Sequence, residues 1–110
     1  MAKTTPKVQH NQLHLPGHQT PLCTVGSPAW FAWLETATTF RYHSQQRRII
    51  IRHYGPLLAP ISLRKEKRRR GFLWYAYKRA YGRLHKRYVG LSPALTPTKL
   101  DEVALRLNQL

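Results

Sequence analysis

The sequence predicts a small α+β domain: an antiparallel sheet of three to four strands, with a C-terminal helix packed on it and a short Trp-rich N-terminal helix. Three observations predict it. Residues 72–90 hold two runs of strand-forming residues joined around Ala80-Tyr81-Gly82; Leu100, Val103, Ala104 and Leu107 recur at helical spacing; and Ser27-Pro28 opens a short run containing Trp30, Phe31, Trp33 and Leu34. A chain of 110 residues has room for one such domain.

Residues 1–24 read as a flexible polar arm, because Pro6, Pro16, Gly17 and Pro21 stand among polar side chains that bury too little to offset ordering the backbone. The domain then occupies residues 25–110. Ser27 is placed to cap a helix of about Pro28 to Thr36, with Pro28 in the first turn where its fixed φ is already suitable. That helix is apolar nearly all round and belongs in the core. Phe40-Arg41-Tyr42 and Arg48 to Tyr54 are rich in β-branched and aromatic residues and predict strands, before Gly55-Pro56 and Pro60 interrupt. Ile61 to Lys67 alternates as a strand with Ile61 and Leu63 on one face, and Lys67-Arg68-Arg69-Arg70-Gly71 is a basic turn.

Phe72 to Gly90 is a β-hairpin, with Gly82 able to take the positive φ the turn needs. A two-residue Tyr81-Gly82 turn sets Tyr75 opposite Tyr88 and Trp74 opposite Val89; a three-residue loop shifts that pairing by one. Thr96-Pro97 repeats the cap-and-proline start, opening the C-terminal helix. Asp101 and Glu102 are expected in its first turn, where carboxylates favour the dipole.

The charge distribution narrows the function. Of 19 Lys and Arg residues, 15 fall between Arg41 and Arg87 against one acid, Glu66, and the net charge is +15. Charge so dense repels itself unless something anionic sits on it, and interleaved Tyr and Trp residues set the stretch apart from a disordered basic tail. The candidate nucleic-acid-binding residues are Arg64, Lys65, Lys67, Arg68, Arg69 and Arg70 in the basic run. Lys78, Arg79, Arg83, Lys86 and Arg87 join them on the hairpin, since a two-stranded ribbon can bury one face and offer cations to phosphates on the other.

Other chemistries find little support. Trp74, Tyr75, Tyr77 and Tyr88 have the chemistry to stack on unpaired bases, although on a hairpin such rings more often form core or cross-strand pairs. His10, His14 and His18 recur every four residues, but Pro16-Gly17 breaks the helix a metal site would need, so no metal or cofactor is expected. Cys23 has no partner for an internal disulfide, which favours a reducing compartment. The four acids are scattered, and no phosphate loop or nucleophile elbow occurs, so the chain is not expected to be an enzyme. No apolar run reaches the roughly 20 residues of a membrane span and no secretory signal is present, so a cytoplasmic location is expected.

The block Val25 to Ala37, with Pro28-Ala29-Trp30-Phe31-Ala32-Trp33-Leu34-Glu35 at its centre, together with Trp74-Tyr75-Ala76-Tyr77-Lys78, Arg87-Tyr88-Val89-Gly90 and Leu95 to Leu100, resembles the N-terminal module of bacterial LuxR-type, MalT-like transcriptional regulators. The resemblance implies a DNA-binding module of a transcriptional regulator. Those regulators continue into a nucleotide-hydrolysing domain, a helical repeat region and a helix-turn-helix, of which this chain carries neither a Walker A motif nor the helix pair, and residues 42–60 are longer here than in the family. The hairpin with its following helix is also similar in pattern to the DNA-reading N-terminal domain of tyrosine integrases. The reading is duplex DNA contacted by a basic β-hairpin; the alternatives are an RNA-binding module and a truncated regulator fragment acting as a protein-interaction domain, with further regulator domains encoded elsewhere.

Overall fold

In the computed structural model the described backbone covers residues 5–50 and 53–109, and the described side chains cover 5–46 and 58–109. The strands are β1 (Lys7–Gln9), β2 (Gln12–His14), β3 (Cys23–Thr24), β4 (Thr39–Tyr42), β5 (Arg47–Ile50), β6 (His53–Leu57), β7 (Ile61–Arg68), β8 (Gly71–Ala80) and β9 (Arg83–Gly90). Helix α1 (Pro28–Thr36) lies between β3 and β4, and α2 (Pro97–Asn108) ends the chain after a short 3-10 turn at Ser92–Ala94.

Seven strands form one sheet in the order β3-β2-β1-β4-β7-β8-β9, while β5 and β6 pair separately. The expected three- or four-stranded antiparallel sheet is therefore corrected to a seven-stranded mixed sheet, still with α+β character, because β1 and β4 run parallel. The additional strands come from residues 7–24. Val8 and Leu13 face each other across β1 and β2 and are both wholly buried. In three-residue strands, alternation turns a single apolar side chain inward, so two well-placed residues anchor a stretch whose average composition is polar. Each buried side chain contributes about 1.5 to 3 kcal/mol. His10 and Asn11 carry the turn between them with φ of 54° and 62°, the pair of positive values that a tight hairpin turn demands.

The helices begin where expected. Ser27 Oγ accepts from the Trp30 amide at 3.3 Å and Thr96 Oγ1 from the Lys99 amide at 3.2 Å, each followed by proline in the first turn. Asp101 lies beyond the first turn of α2, and its Oδ1 instead accepts from the Tyr42 hydroxyl and, at 3.1 Å, from Ser44 Oγ. This ties α2 to the end of β4. Burial and then this carboxylate push the Tyr42 hydroxyl well above its ordinary pKa.

Both helices cover the same face of the sheet. Trp30 and Leu34 of α1 and Leu100, Val103, Ala104 and Leu107 of α2 meet Phe40, Leu63, Trp74, Ala76 and Val89 in one core. Phe40 sits edge-on to Trp30 and Trp74, at 5.2 and 5.4 Å between centroids. The buried indole N–H groups are satisfied, Trp30 by the Leu95 carbonyl at 2.8 Å and Trp74 by Ser92 Oγ at 2.9 Å.

The β8–β9 turn has two residues, Tyr81 and Gly82, with φ of 53° and 74°. Tyr75 pairs with Tyr88, but Trp74 pairs with Gly90 rather than Val89, because an irregularity between Trp74 and Tyr75 leaves one residue extra on β9. Gly90 adopts φ 139°, and a Cβ there would lie 3.2 Å from Ala94 Cβ, so glycine makes the bulge possible. The strand expected over Arg48 to Tyr54 divides into β5 and β6, with Ile49 opposite Tyr54 and Gly55-Pro56 inside β6; Ile51 and Arg52 fall outside the described residues. Among the described residues no helix is long and apolar enough to cross a membrane.

Candidate nucleic-acid interface

The helices leave the other face of the sheet uncovered, and the register decides which side chains stand on it. Arg64, Tyr75 and Tyr88 are cross-strand partners over β7, β8 and β9, as are Ser62, Tyr77 and Lys86; Thr39 and Arg41 of β4 face Arg64 and Ser62, and Lys7 of β1 faces Arg41. Alternation adds Glu66, Arg68 and Arg79 to the same face. Six cations, Lys7, Arg41, Arg64, Arg68, Arg79 and Lys86, thus share this face with one carboxylate, that of Glu66.

The rings and cations interlock. The Arg64 guanidinium lies 5.2 Å from the Tyr77 centroid and that of Arg68 4.9 Å from Tyr75, while the Lys86 ammonium is 4.3 Å from Tyr75 and 5.6 Å from Tyr77. Tyr75 and Tyr88 meet edge to face at 5.6 Å. Glu66 Oε1 accepts from Arg68 Nη2 at 2.5 Å and from Lys86 Nζ at 3.1 Å. Partial loss of water opposes its ionisation, but the hydrogen bonds and charges of Lys86 and Arg68 outweigh that and hold the carboxyl below its ordinary range. The hydrogen bond from Arg68 Nε to the Tyr75 hydroxyl, at 3.3 Å, is the main reason the guanidinium holds its proton more tightly than usual, with Glu66 adding to it. Glu66 therefore acts as a local brace that keeps two long cations aligned over the tyrosines.

Two depressions join across this face. The larger, of about 590 Å³, is walled by Arg41, Ser62, Arg64, Tyr77, Arg79 and Leu84, and the smaller, of about 260 Å³, shares Arg41, Ser62 and Arg64 with it and extends to Lys7, Thr39 and His43. Together they make a cationic trough crossing the strands from β1 to β9.

Of the residues expected from the sequence, Arg64, Arg68, Arg79 and Lys86 are brought together here. Lys65 is turned the other way: its Nζ donates to the Leu34 and Glu35 carbonyls at 2.5 and 3.2 Å and lies 5.4 Å from the Trp74 ring. It closes the C-terminal end of α1, which has no basic residue of its own in its last turn. Lys67, Lys78, Arg83 and Arg87 share that opposite parity beyond the helices' cover, with Lys78 reaching the rim of the larger depression, and Arg69 and Arg70 form the exposed β7–β8 turn. Lys7, Arg41, Ser62 and His43 were not among the expected residues. Arg41 carried a signal, since it stands between Phe40 and Tyr42 in an alternating strand; Lys7 and His43 join the site through the β1–β4 pairing, which no local pattern announces.

No family model matches the chain, and no curated protein or solved structure shows significant similarity to it.

Proposed function

We propose that the chain is a nucleic-acid-binding module that lays the uncovered face of its sheet on duplex DNA. The observation that carries this reading is the presence of six cations and one carboxylate on a sheet face that the helices leave uncovered. Outer strand axes of β7 and β9 stand about 10 Å apart, comparable with the roughly 12 Å width of the major groove, so the three strands and their side chains suit that groove while Arg41 and Lys7 reach the flanking backbone. The resemblance to LuxR-type regulators makes transcriptional regulation the setting proposed for it.

The exposed Tyr88 and the half-buried Tyr75 and Tyr77 favour the RNA alternative only at first sight. Tyr75 and Tyr77 hold cations against their ring faces, and a ring so covered is a poorer platform for an unpaired base. The same cations are well placed for phosphates.

Fluorescence anisotropy with duplex DNA, single-stranded DNA and RNA over a series of salt concentrations tests the reading. About six phosphate contacts give a log–log salt slope near −5 on duplex DNA. Absence of binding at low salt, insensitivity to salt, or tighter binding to single-stranded RNA would overturn it.

A further inference from the structure

At one end of the trough, where β1 runs beside β4, side chains from three strands enclose the depression of about 260 Å³. Lys7 from β1, Arg41 from β4 and Arg64 from β7 supply its charge, and His43 stands just past the end of β4. The remaining lining, Thr5, Thr39 and Ser62, is hydroxylic, and among the described residues no carboxylate lines the depression. Thr39 Oγ1 gives its proton to the Leu63 carbonyl at 2.8 Å, and Ser62 Oγ accepts from Arg41 Nη1 at 3.4 Å, which holds the guanidinium across toward β7. Cations converging from three directions match a tetrahedral oxyanion better than a planar carboxylate, which offers two oxygens in one plane. Continuity with the larger depression leaves a way out for a chain of phosphates.

We propose that this cradle seats one backbone phosphate of the bound nucleic acid, with Lys7, Arg41 and Arg64 as its cations and His43 as a hydrogen-bond donor that takes up a proton as the phosphate arrives. This rests on the nucleic-acid reading and adds to it a defined anchor at the β1–β4 end. The groups around His43 are Arg41 on its own strand, Lys7 on β1 with His14 beside it on β2, Arg64 on β7, and Asp101 of α2 behind the strand, bound to Tyr42 and Ser44. Burial, then the charges of Arg41 and Lys7, hold the free imidazole below its ordinary pKa. A seated anion reverses that balance and raises it. Affinity is then level well above the bound-state pKa, rises as pH falls through it, and levels again below the free-state value, by at most about ten-fold per pH unit for one proton.

The test is anisotropy on blunt duplex DNA with 5′-hydroxyl ends, from pH 8 to 5.5 at constant ionic strength, for the parent and for His43→Gln. The parent is expected to gain about five-fold more affinity than His43→Gln over that span, each taken relative to its own affinity at pH 8. The His43 ring resonances should move on adding duplex and much less with inorganic phosphate at the same concentration. Parallel pH profiles, or ring resonances unmoved by saturating duplex, overturn the cradle and leave the nucleic-acid reading standing. An equal response to inorganic phosphate overturns its assignment to backbone phosphate. Failure of both proteins to bind duplex at any pH overturns the nucleic-acid reading and the cradle together.

Discussion

The two faces of the β7–β8–β9 unit are made from alternate residues of the same strands, yet they obey opposite rules. On the closed face Leu63, Trp74, Ala76 and Val89 are sealed under the helices, and two polar groups that enter are engaged, the Trp74 N–H by Ser92 and the Lys65 ammonium by the end of α1, whereas the buried His85 Nε2 has no hydrogen-bond partner among the described residues. One residue along each strand, the exposed Arg64 and Lys86 rest on the rings of half-buried Tyr77 and Tyr75. The closed face concentrates the apolar burial that stabilises a small domain, which leaves the open face able to hold mutually repelling charge at little cost to the fold. A sheet covered on both sides would have no surface left for a polyanion, and one covered on neither would not fold.

The strongest way to break this comparison is Trp74→Ala. Removal of a wholly buried indole should cost about 3 to 5 kcal/mol, enough to unfold a domain of this size, and DNA binding should vanish with the fold. Urea denaturation checks it; a variant melting with the parent would mean that the closed face does not hold the structure. Next comes Tyr42→Phe, which removes a hydrogen bond to the Asp101 carboxylate and should cost about 1.5 to 3 kcal/mol in the same assay. Because the folded-state pKa of Tyr42 is raised, its stabilisation is complete below the ordinary tyrosine value near 10 and is lost as pH rises beyond it. Tyr42→Phe should therefore lose less stability than the parent between about pH 9 and 11. The smallest effect sharpens the contrast within one strand: Lys86→Ala should weaken duplex binding about three- to ten-fold, whereas Arg83→Ala with Arg87→Ala, two charges of the opposite parity, should weaken it less, with all variants within about 0.5 kcal/mol of parental stability. A larger loss from the Arg83 and Arg87 pair would move the binding surface to the other side of the hairpin.

These contrasts were partly legible in the sequence. Alternation along Phe72 to Gly90, the two cap-and-proline starts and the apolar stripe of α2 are local patterns, and each reports its element directly. Val8 and Leu13 are different, since each is the lone apolar residue of a three-residue strand and neither stands out from its polar neighbours. The bulge at Gly90 also escaped, because Val89 and Gly90 fit a regular strand until the 3-10 turn behind them is in place. For the site, the basic run identified the strands but not their parity: Lys65 and Arg64 are neighbours with opposite destinations, and only the register separates the helix-closing residue from the one on the open face. Arg41, Lys7 and His43 complete the trough through contacts between residues about 35 apart, which composition and periodicity do not encode.

The parallel junction of β1 with β4 consists of two residue pairs, Lys7 with Arg41 and Val8 with Tyr42, held by hydrogen bonds that the Arg41 amide donates to the Pro6 carbonyl and the His43 amide to the Val8 carbonyl, both at 2.9 Å. So short a seam, between a small N-terminal hairpin and the long strands β7 to β9, should open before the pairings of those long strands, and the amides of Arg41 and His43 should exchange with solvent ahead of those along β7 and β8. An anion gripped by Lys7 on one side and Arg64 on the other would span that seam. Ligand would then act as a staple between the two parts of the sheet, slowing exchange at amides that it does not itself touch.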